Sequence, residues 1–309
     1  MSAAFYSERE RVLQHIEWDF GVPSTILPKN LLQYMKSYND ESWYKHMKII
    51  LSPAKQMKVN NDFMQAVSLP RMLNRTETIL NQMKTYDISQ LKKLFRANDK
   101  ITEENFRRYQ EMDLRKGLTP AVLSYSGLAF NNMAPQVFTD SQWKYVKKNL
   151  KILSGFYGIL NAADGVVPYR LEMQTKISID GTKDLYDFWG ESIYQALSEE
   201  IREEAKDGAE PIILNLASKE YSHAVEPFVE EDIRFVTCVF AEYSDKKLIT
   251  KGTKAKMARG RMAAYLAEND AKNLEDVKNF TEMGFGYSEE HSNEKELVFV
   301  QSLVQSQEC

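Results

Sequence analysis

The pattern of apolar and polar residues changes after residue 46 of this 309-residue chain. Before that point, apolar side chains recur at helical spacing over residues 7–20 and 31–38, with prolines between them. This segment is too short to bury a core of its own. Residues 47–52 (MKIILS) then form an apolar run that is typical of a buried strand. We therefore predict an N-terminal extension, residues 1–46, helical or loosely ordered, and one domain over residues 47–309.

Within the domain, helical and strand patterns alternate. Helical spacing predicts helices over residues 70–98, from Thr102 onward, over 141–153 and over 254–268. β-Branched and aromatic content predicts strands over residues 121–126, 212–218, 233–243 and 296–300. Because the alternation is irregular, we predict an α/β fold (mixed α+β) with a central mixed sheet flanked by helices.

The charge balance limits the kinds of partner. The formal net charge is −4 and the isoelectric point is near 5.8, whereas a nucleic-acid-binding domain is usually strongly basic. Any binding of nucleic acid must therefore rely on a local basic patch. No apolar run approaches the roughly 20 residues that span a bilayer, and no apolar secretory region opens the chain. We expect a cytoplasmic protein without a membrane partner.

Cysteine and histidine are too sparse to suggest a metal centre. The chain has two cysteines, Cys238 and Cys309, and its four histidines lack the spacing of metal ligands. Cys238 lies in an apolar run, so we expect an inert, buried thiol. The sequence predicts no metal site and no cofactor.

Six short segments, followed by ELVF, occur in a characteristic order: IILSPAK (49–55), LSGFYGIL (153–160), PYRLEM (168–173), KDLYDFWG (183–190), NLASKEY (215–221) and AKMARGRM (255–262). Together they resemble the YaaA family, the peroxide stress resistance proteins. The resemblance implies a cytosolic protein of the response to hydrogen peroxide that limits free iron and iron-dependent damage. It also implies binding of DNA through a helix-hairpin-helix-like element.

The first candidate DNA contact is a basic stretch. Residues 246–261 contain seven lysines and arginines and no acidic residue. Positive charge of this density can neutralise DNA phosphates without reading the base sequence. We therefore predict contacts to double-stranded or distorted DNA by Lys254, Lys256, Arg259 and Arg261. The alternative is a solvated helix face, which is what most charge runs are.

The second candidate is the glycine pair in LSGFYGIL. Gly155 and Gly158 flank two aromatic residues, and a tight turn there would present backbone N–H groups to a phosphate. Lys148 and Lys151 precede the turn, so we assign all four residues to the DNA contact. The alternative is a helix that stops at a glycine.

A rival hypothesis places an enzyme site at the ends of two predicted strands. Lys55 follows the first strand and Glu220 and Tyr221 follow the strand at 212–218, where ligands gather in α/β sheets. Arg170 and Glu172 would share one face of an extended segment. Lys55, Arg170, Glu220 and Tyr221 could thus line a pocket for a nucleotide or nucleobase, with Glu220 as general base. The alternatives are local ion pairs and turn contacts, since no established catalytic motif is present.

Overall fold

The computed structural model describes residues 47–60, 64–205, 210–245 and 247–302. The predictions for the extension, residues 1–46, lie outside the described residues.

The strands are short, and most belong to one sheet. They are β1 (Met47–Leu51), β2 (Gln56–Met57), β3 (Thr119–Pro120), β4 (Tyr125–Ser126), β5 (Leu150–Ser154), β6 (Gly158–Asn161), β7 (Gly165–Val166), β8 (Ile212–Leu216), β9 (Arg234–Ser244), β10 (Lys247–Ile249), β11 (Phe285–Tyr287) and β12 (Glu296–Gln301).

Eleven α-helices alternate with these strands in the described part of the chain. They are α1 (Leu73–Lys84), α2 (Ile88–Phe95), α3 (Asp99–Glu111), α4 (Ala121–Ser124), α5 (Leu128–Met133), α6 (Asp140–Asn149), α7 (Leu185–Trp189), α8 (Ser192–Glu204), α9 (Lys219–Ser222), α10 (Gly252–Glu268) and α11 (Leu274–Lys278). Single 3₁₀ turns cover Pro135–Val137, Glu226–Phe228, Glu282–Gly284 and Glu289–His291.

The central sheet has eight strands in the order β11-β12-β9-β8-β1-β5-β6, with β10 paired to β9. The pairs from β12 to β5 are parallel, and the outer pairs are antiparallel. The predicted α/β class with a mixed central sheet is therefore confirmed. In the register of β1 and β8, Leu51 lies opposite Leu216, so the carboxyl ends of these two central strands lie side by side.

The core forms on both faces of the central strands. Every residue of β1 and β8 is buried, as expected for parallel strands covered by helices. The inner face of α10 is formed by Ala255, Ala258, Met262 and Leu266, which are buried. A Cβ on Gly260 would lie 1.8 Å from the carbonyl oxygen of Ala129, so glycine is what lets α10 pack directly on α5.

Several predicted boundaries were wrong. Residues 121–126 were predicted as a strand, but they form the short helix α4 and the two-residue strand β4. The segment has one β-branched residue, and alanine and leucine favour helix. Helix α3 begins at Asp99, because Asn98 caps it, and not at Thr102. Helix α10 begins at Gly252, two residues before the predicted start at Lys254.

The predicted helix-hairpin-helix-like element is a β-hairpin at this position. Helix α6 ends at Asn149, and Leu150–Ser154 continues as strand β5 beside β1. After a three-residue turn, β6 pairs with β5 in antiparallel fashion. Sheet pairing thus overrides the helical spacing of Leu150 and Leu153, which are buried on a strand.

Candidate functional site

Two strand exits are joined at the carboxyl edge of the sheet. Ser52 follows β1 and Ser218 follows β8. The backbone N–H of Ser218 donates to the Ser52 hydroxyl at 2.8 Å, and the two hydroxyl oxygens are 3.2 Å apart. These contacts hold the two exits together. The chain leads from them to Lys55 on one side and Glu220 on the other.

A carboxylate and two cations form the centre of this site. Glu172 Oε1 lies 3.0 Å from Lys55 Nζ and 3.1 Å from Arg170 Nη2. The Tyr109 hydroxyl donates to the Arg170 carbonyl at 2.8 Å and so fixes the segment. The buried Nε of Arg170 has no hydrogen-bond partner within the described part of the chain. Two cations thus share one carboxylate, which leaves positive charge and a free donor.

Glu220 lies beside this centre. Its Oε1 accepts from the backbone N–H of Gln174 at 3.3 Å, and its carbonyl accepts from the Tyr186 hydroxyl at 2.8 Å. Burial raises the pKa of Glu220, and the negative charge of Glu172 adds to the effect, whereas Lys55 and Lys256 act against it. The sequence-predicted residues Lys55, Arg170 and Glu220 are therefore brought together.

Tyr221 lies under the site. Its side chain is buried, and its phenol interacts with the backbone of Met173. Burial raises the pKa of this phenol well above its usual value. Tyr221 therefore supports the segment that carries Arg170 and Glu172, in its neutral form.

A cavity of about 710 Å³ opens beside the Lys55–Glu172–Arg170 centre. Its wall is partly apolar, with Tyr86, Leu94 and Phe95. Among the described residues that line it, the charged ones are five cations and one carboxylate: Lys55, Lys93, Arg96, Arg170, Lys176 and Glu172. The excess of positive charge makes the cavity suited to an anion.

Two of the cations predicted to bind DNA are neutralised. Lys254 is bonded to Glu242 and, at 2.7 Å, to Gln301. Arg261 is bonded to Glu282 and, at 2.7 Å, to Glu268. These acidic partners, Glu242, Glu268 and Glu282, all lie outside residues 246–261. A count of charges within that stretch therefore overestimates the positive charge of the folded helix.

The other two cations of α10 behave differently. Lys256 is exposed and close enough to Glu220 to affect its pKa, so it belongs to the carboxyl-edge site. Arg259 is largely buried near Cys238, and its Nε has no hydrogen-bond partner in the ranges described above. Burial lowers the pKa of Arg259 and raises that of the Cys238 thiol, which is buried as predicted.

The glycines of LSGFYGIL are buried and make close packing contacts. A Cβ on Gly155 would lie 2.7 Å from the Leu171 carbonyl oxygen. Gly158 has φ +74°, and a Cβ there would lie 2.9 Å from the Trp189 ring. The N–H groups of Phe156 and Tyr157 donate to the Ser154 hydroxyl at 3.1 and 2.9 Å. The turn therefore uses these N–H groups internally.

Lys148 and Lys151 also differ from each other. Lys151 is buried and paired with Glu200 at 2.6 Å. Glu200 also lies 2.8 Å from Nζ of the buried Lys48. Lys148 is exposed on α6 with Lys144 and Lys147. Of the four residues predicted here to contact DNA, Gly155, Gly158, Lys148 and Lys151, Lys148 is the one that keeps an exposed charge.

Three further cations of the cavity, Lys93, Arg96 and Lys176, were not predicted from the sequence. They belong to no recognisable motif and come from two distant segments. Among the described residues no cluster of histidine, cysteine, aspartate and glutamate could hold a metal ion. The same residues include no helix that is long and apolar enough to cross a membrane.

Comparisons with known proteins identify the family of this chain. The family model described as Peroxide stress protein YaaA matches residues 47–291. A UPF0246 protein of Agathobacter rectalis is 46% identical over 258 residues, which cover 84% of this chain and 100% of that protein. A UPF0246 protein of Lachnoclostridium phytofermentans is 45% identical over 254 residues, 82% of this chain and 96% of that protein. The chain therefore belongs to the peroxide stress protein YaaA family.

Proposed function

We propose that the protein acts in peroxide stress by binding a phosphate-bearing ligand, a nucleotide, in the cavity beside Lys55, Glu172 and Arg170. Membership of the YaaA family supports a role related to peroxide stress. The observation that carries the proposed ligand is the excess of cations in this cavity, next to a carboxylate with a raised pKa. Arginine and lysine are the usual partners of phosphate, and the aromatic wall suits a base.

Glu220 would supply the chemistry if the bound nucleotide reacts. In its ionised form it is a general base that takes a proton from the substrate or from water. Because burial raises the pKa of Glu220, the ionised fraction increases with pH over a higher range than for an ordinary glutamate. A reaction that uses this base would therefore accelerate as pH rises through that raised pKa. Glu220→Gln would abolish the acceleration.

A thermal-shift screen with nucleotides and nucleobases tests the ligand. We expect nucleotides to raise the melting temperature of the intact protein, because a ligand that binds only the folded state stabilises it. Arg170→Gln should remove the shift, whereas Lys148→Gln, an exposed lysine outside the cavity, should keep it. A shift that survives Arg170→Gln, or none with any nucleotide, would contradict the proposal.

A second candidate is contact with DNA phosphates, which the exposed lysines of α6 favour. Lys144, Lys147 and Lys148 lie on one helix, and none forms an ion pair within the ranges that the structure describes. Fluorescence anisotropy with duplex DNA should show an affinity that falls with salt and is weakened by Lys147→Gln/Lys148→Gln. The matched control is Lys92→Gln, whose lysine is already paired with Asp99. Salt-independent binding, or no effect of the double variant, would remove this candidate.

The expected limitation of iron-dependent damage and the cytoplasmic location stay predictions. Neither binding activity requires a metal ion. A change of cellular free iron in a strain that carries Arg170→Gln would link the cavity to the limitation of iron-dependent damage. Unchanged iron in that strain would separate the two.

A further inference from the structure

The cations of the cavity fall into two groups. The inner group is Lys55 and Arg170, which share Glu172. The outer group is Lys93, Arg96 and Lys176, which are exposed, as Lys55 also is. None of the outer three forms an ion pair in the part of the chain that the structure describes. The two groups therefore differ in how much of their charge is already compensated.

Aromatic and apolar side chains lie in the same wall as these cations. Phe95, the last residue of α2, is buried and stacks on Tyr109 at a ring-centroid distance of 6.4 Å. The Tyr109 hydroxyl in turn holds the carbonyl of Arg170. The end of α2, which carries Lys93 and Arg96, is thus tied to the inner group through fixed side chains. The distance between the two groups is set by packing.

Arg96 is one of six non-glycine residues in the described part of the chain that have a positive φ. It caps α2 in the left-handed conformation, with φ 47° and ψ 45°. Helices commonly end in this conformation, but glycine or asparagine adopts it at lower cost than arginine. The exposed side chain of Arg96 makes no hydrogen bond within the described ranges that would account for arginine here. Arg96 therefore places an exposed guanidinium at the wall of the cavity, at a position where glycine would cost less.

We infer that the cavity takes a ligand with two separate anionic groups, such as a nucleoside diphosphate. This inference rests on the proposed function and narrows its ligand. One phosphate lies against Arg170 and Lys55, and the second lies against Arg96, Lys93 and Lys176. A nucleoside monophosphate can satisfy only one of the two groups. The outer cations therefore select for the number of phosphates.

Calorimetric titration of the intact chain with AMP and ADP tests this inference. We expect ADP to bind at least about tenfold more tightly than AMP, because one additional charge-assisted contact contributes that much to the affinity. Arg96→Gly should reduce ADP binding to the level of AMP while the melting temperature stays the same or rises, because glycine suits the left-handed position. Lys92→Ala serves as the control, because Lys92 lies on the same helix and is already paired with Asp99. This variant should keep the preference for ADP over AMP.

The outcomes separate the two claims. Equal affinity for AMP and ADP, or an unchanged preference in Arg96→Gly, would overturn the inference and leave the proposed nucleotide site intact. Lack of binding by both nucleotides would overturn the proposed function and the inference with it. Lys176→Gln provides a second variant at the outer group, on a different segment, and should also reduce ADP binding without affecting AMP.

Discussion

Gly155→Ala isolates the packing role that the structure gives to the glycine pair. The φ angle of Gly155 is not in the left-handed region, so alanine causes no backbone strain there. The added methyl would instead lie 2.7 Å from the Leu171 carbonyl oxygen and 3.1 Å from two further backbone atoms, Glu172 C and Met173 N. To reach an ordinary contact of 3.4 Å, the segment must retreat by roughly 0.7 Å.

This movement would affect both stability and the site. Overpacking of a well-packed interior costs about 1 to 3 kcal/mol, and for a domain of this size that lowers Tm by about 2 to 12 °C. The displaced segment also carries Glu172, which holds Lys55 and Arg170. We therefore expect weaker nucleotide binding together with the lower Tm.

Differential scanning calorimetry and nucleotide titration on one preparation measure both effects. The control is Gly252→Ala, because a Cβ there meets no atom within 4 Å and alanine favours the helix that begins at this residue. Its Tm should stay the same or rise. If Gly155→Ala melted like the wild type and bound nucleotide equally well, the packing role of Gly155 would be refuted.

Three further predictions concern other parts of the fold. Thr139→Ala removes the capping box of α6 and should lower the free energy of unfolding, measured by urea titration, by about 1 kcal/mol. Nucleotide binding should not change, and an unchanged free energy of unfolding would contradict the stabilising role of the cap. Glu200→Gln removes the charge that compensates Lys48 and Lys151 and should cost about 1 to 3 kcal/mol by the same measurement, an unchanged stability being the contrary result. Burial raises the pKa of Asp164 above 3.8, so its folded form holds a proton more readily than its unfolded form, and folding is disfavoured as the carboxyl ionises. Relative to Asp164→Asn, the wild type should therefore lose stability as pH rises from about 3.8 through the raised pKa, whereas parallel pH profiles would show that Asp164 does not titrate in this way.

Local sequence patterns correctly predicted those elements whose tertiary contacts favour the same structure. Strand β1 and the inner face of α10 follow from apolar spacing alone, because each buries one continuous set of side chains. Residues 150–153 show the opposite case. Their apolar residues have helical spacing, but the segment forms a strand because it pairs with β1. Strand β1 lies about a hundred residues earlier in the chain, so the local pattern does not reveal it.

The site was predictable only in part for the same reason. Lys55, Arg170 and Glu220 follow strands or lie in recognisable segments, so the edge of the sheet could bring them together. The compensation of Lys254 by Glu242 depends on a strand that approaches α10 only in the folded chain. Charge counted along a sequence does not reveal such pairs, and Arg96 likewise enters the cavity from a helix end without a motif.

The most direct test of the account is calorimetric titration of ADP into the wild type and two variants. We expect ADP to bind to the wild type and binding to be lost in Lys55→Gln/Arg170→Gln. Lys147→Gln/Lys148→Gln should keep the wild-type affinity, because these lysines are exposed on α6 outside the cavity. Binding that persists in the first double variant and disappears in the second would contradict the account, because the anion would then be held by α6 and not by the cavity at the carboxyl edge of the sheet.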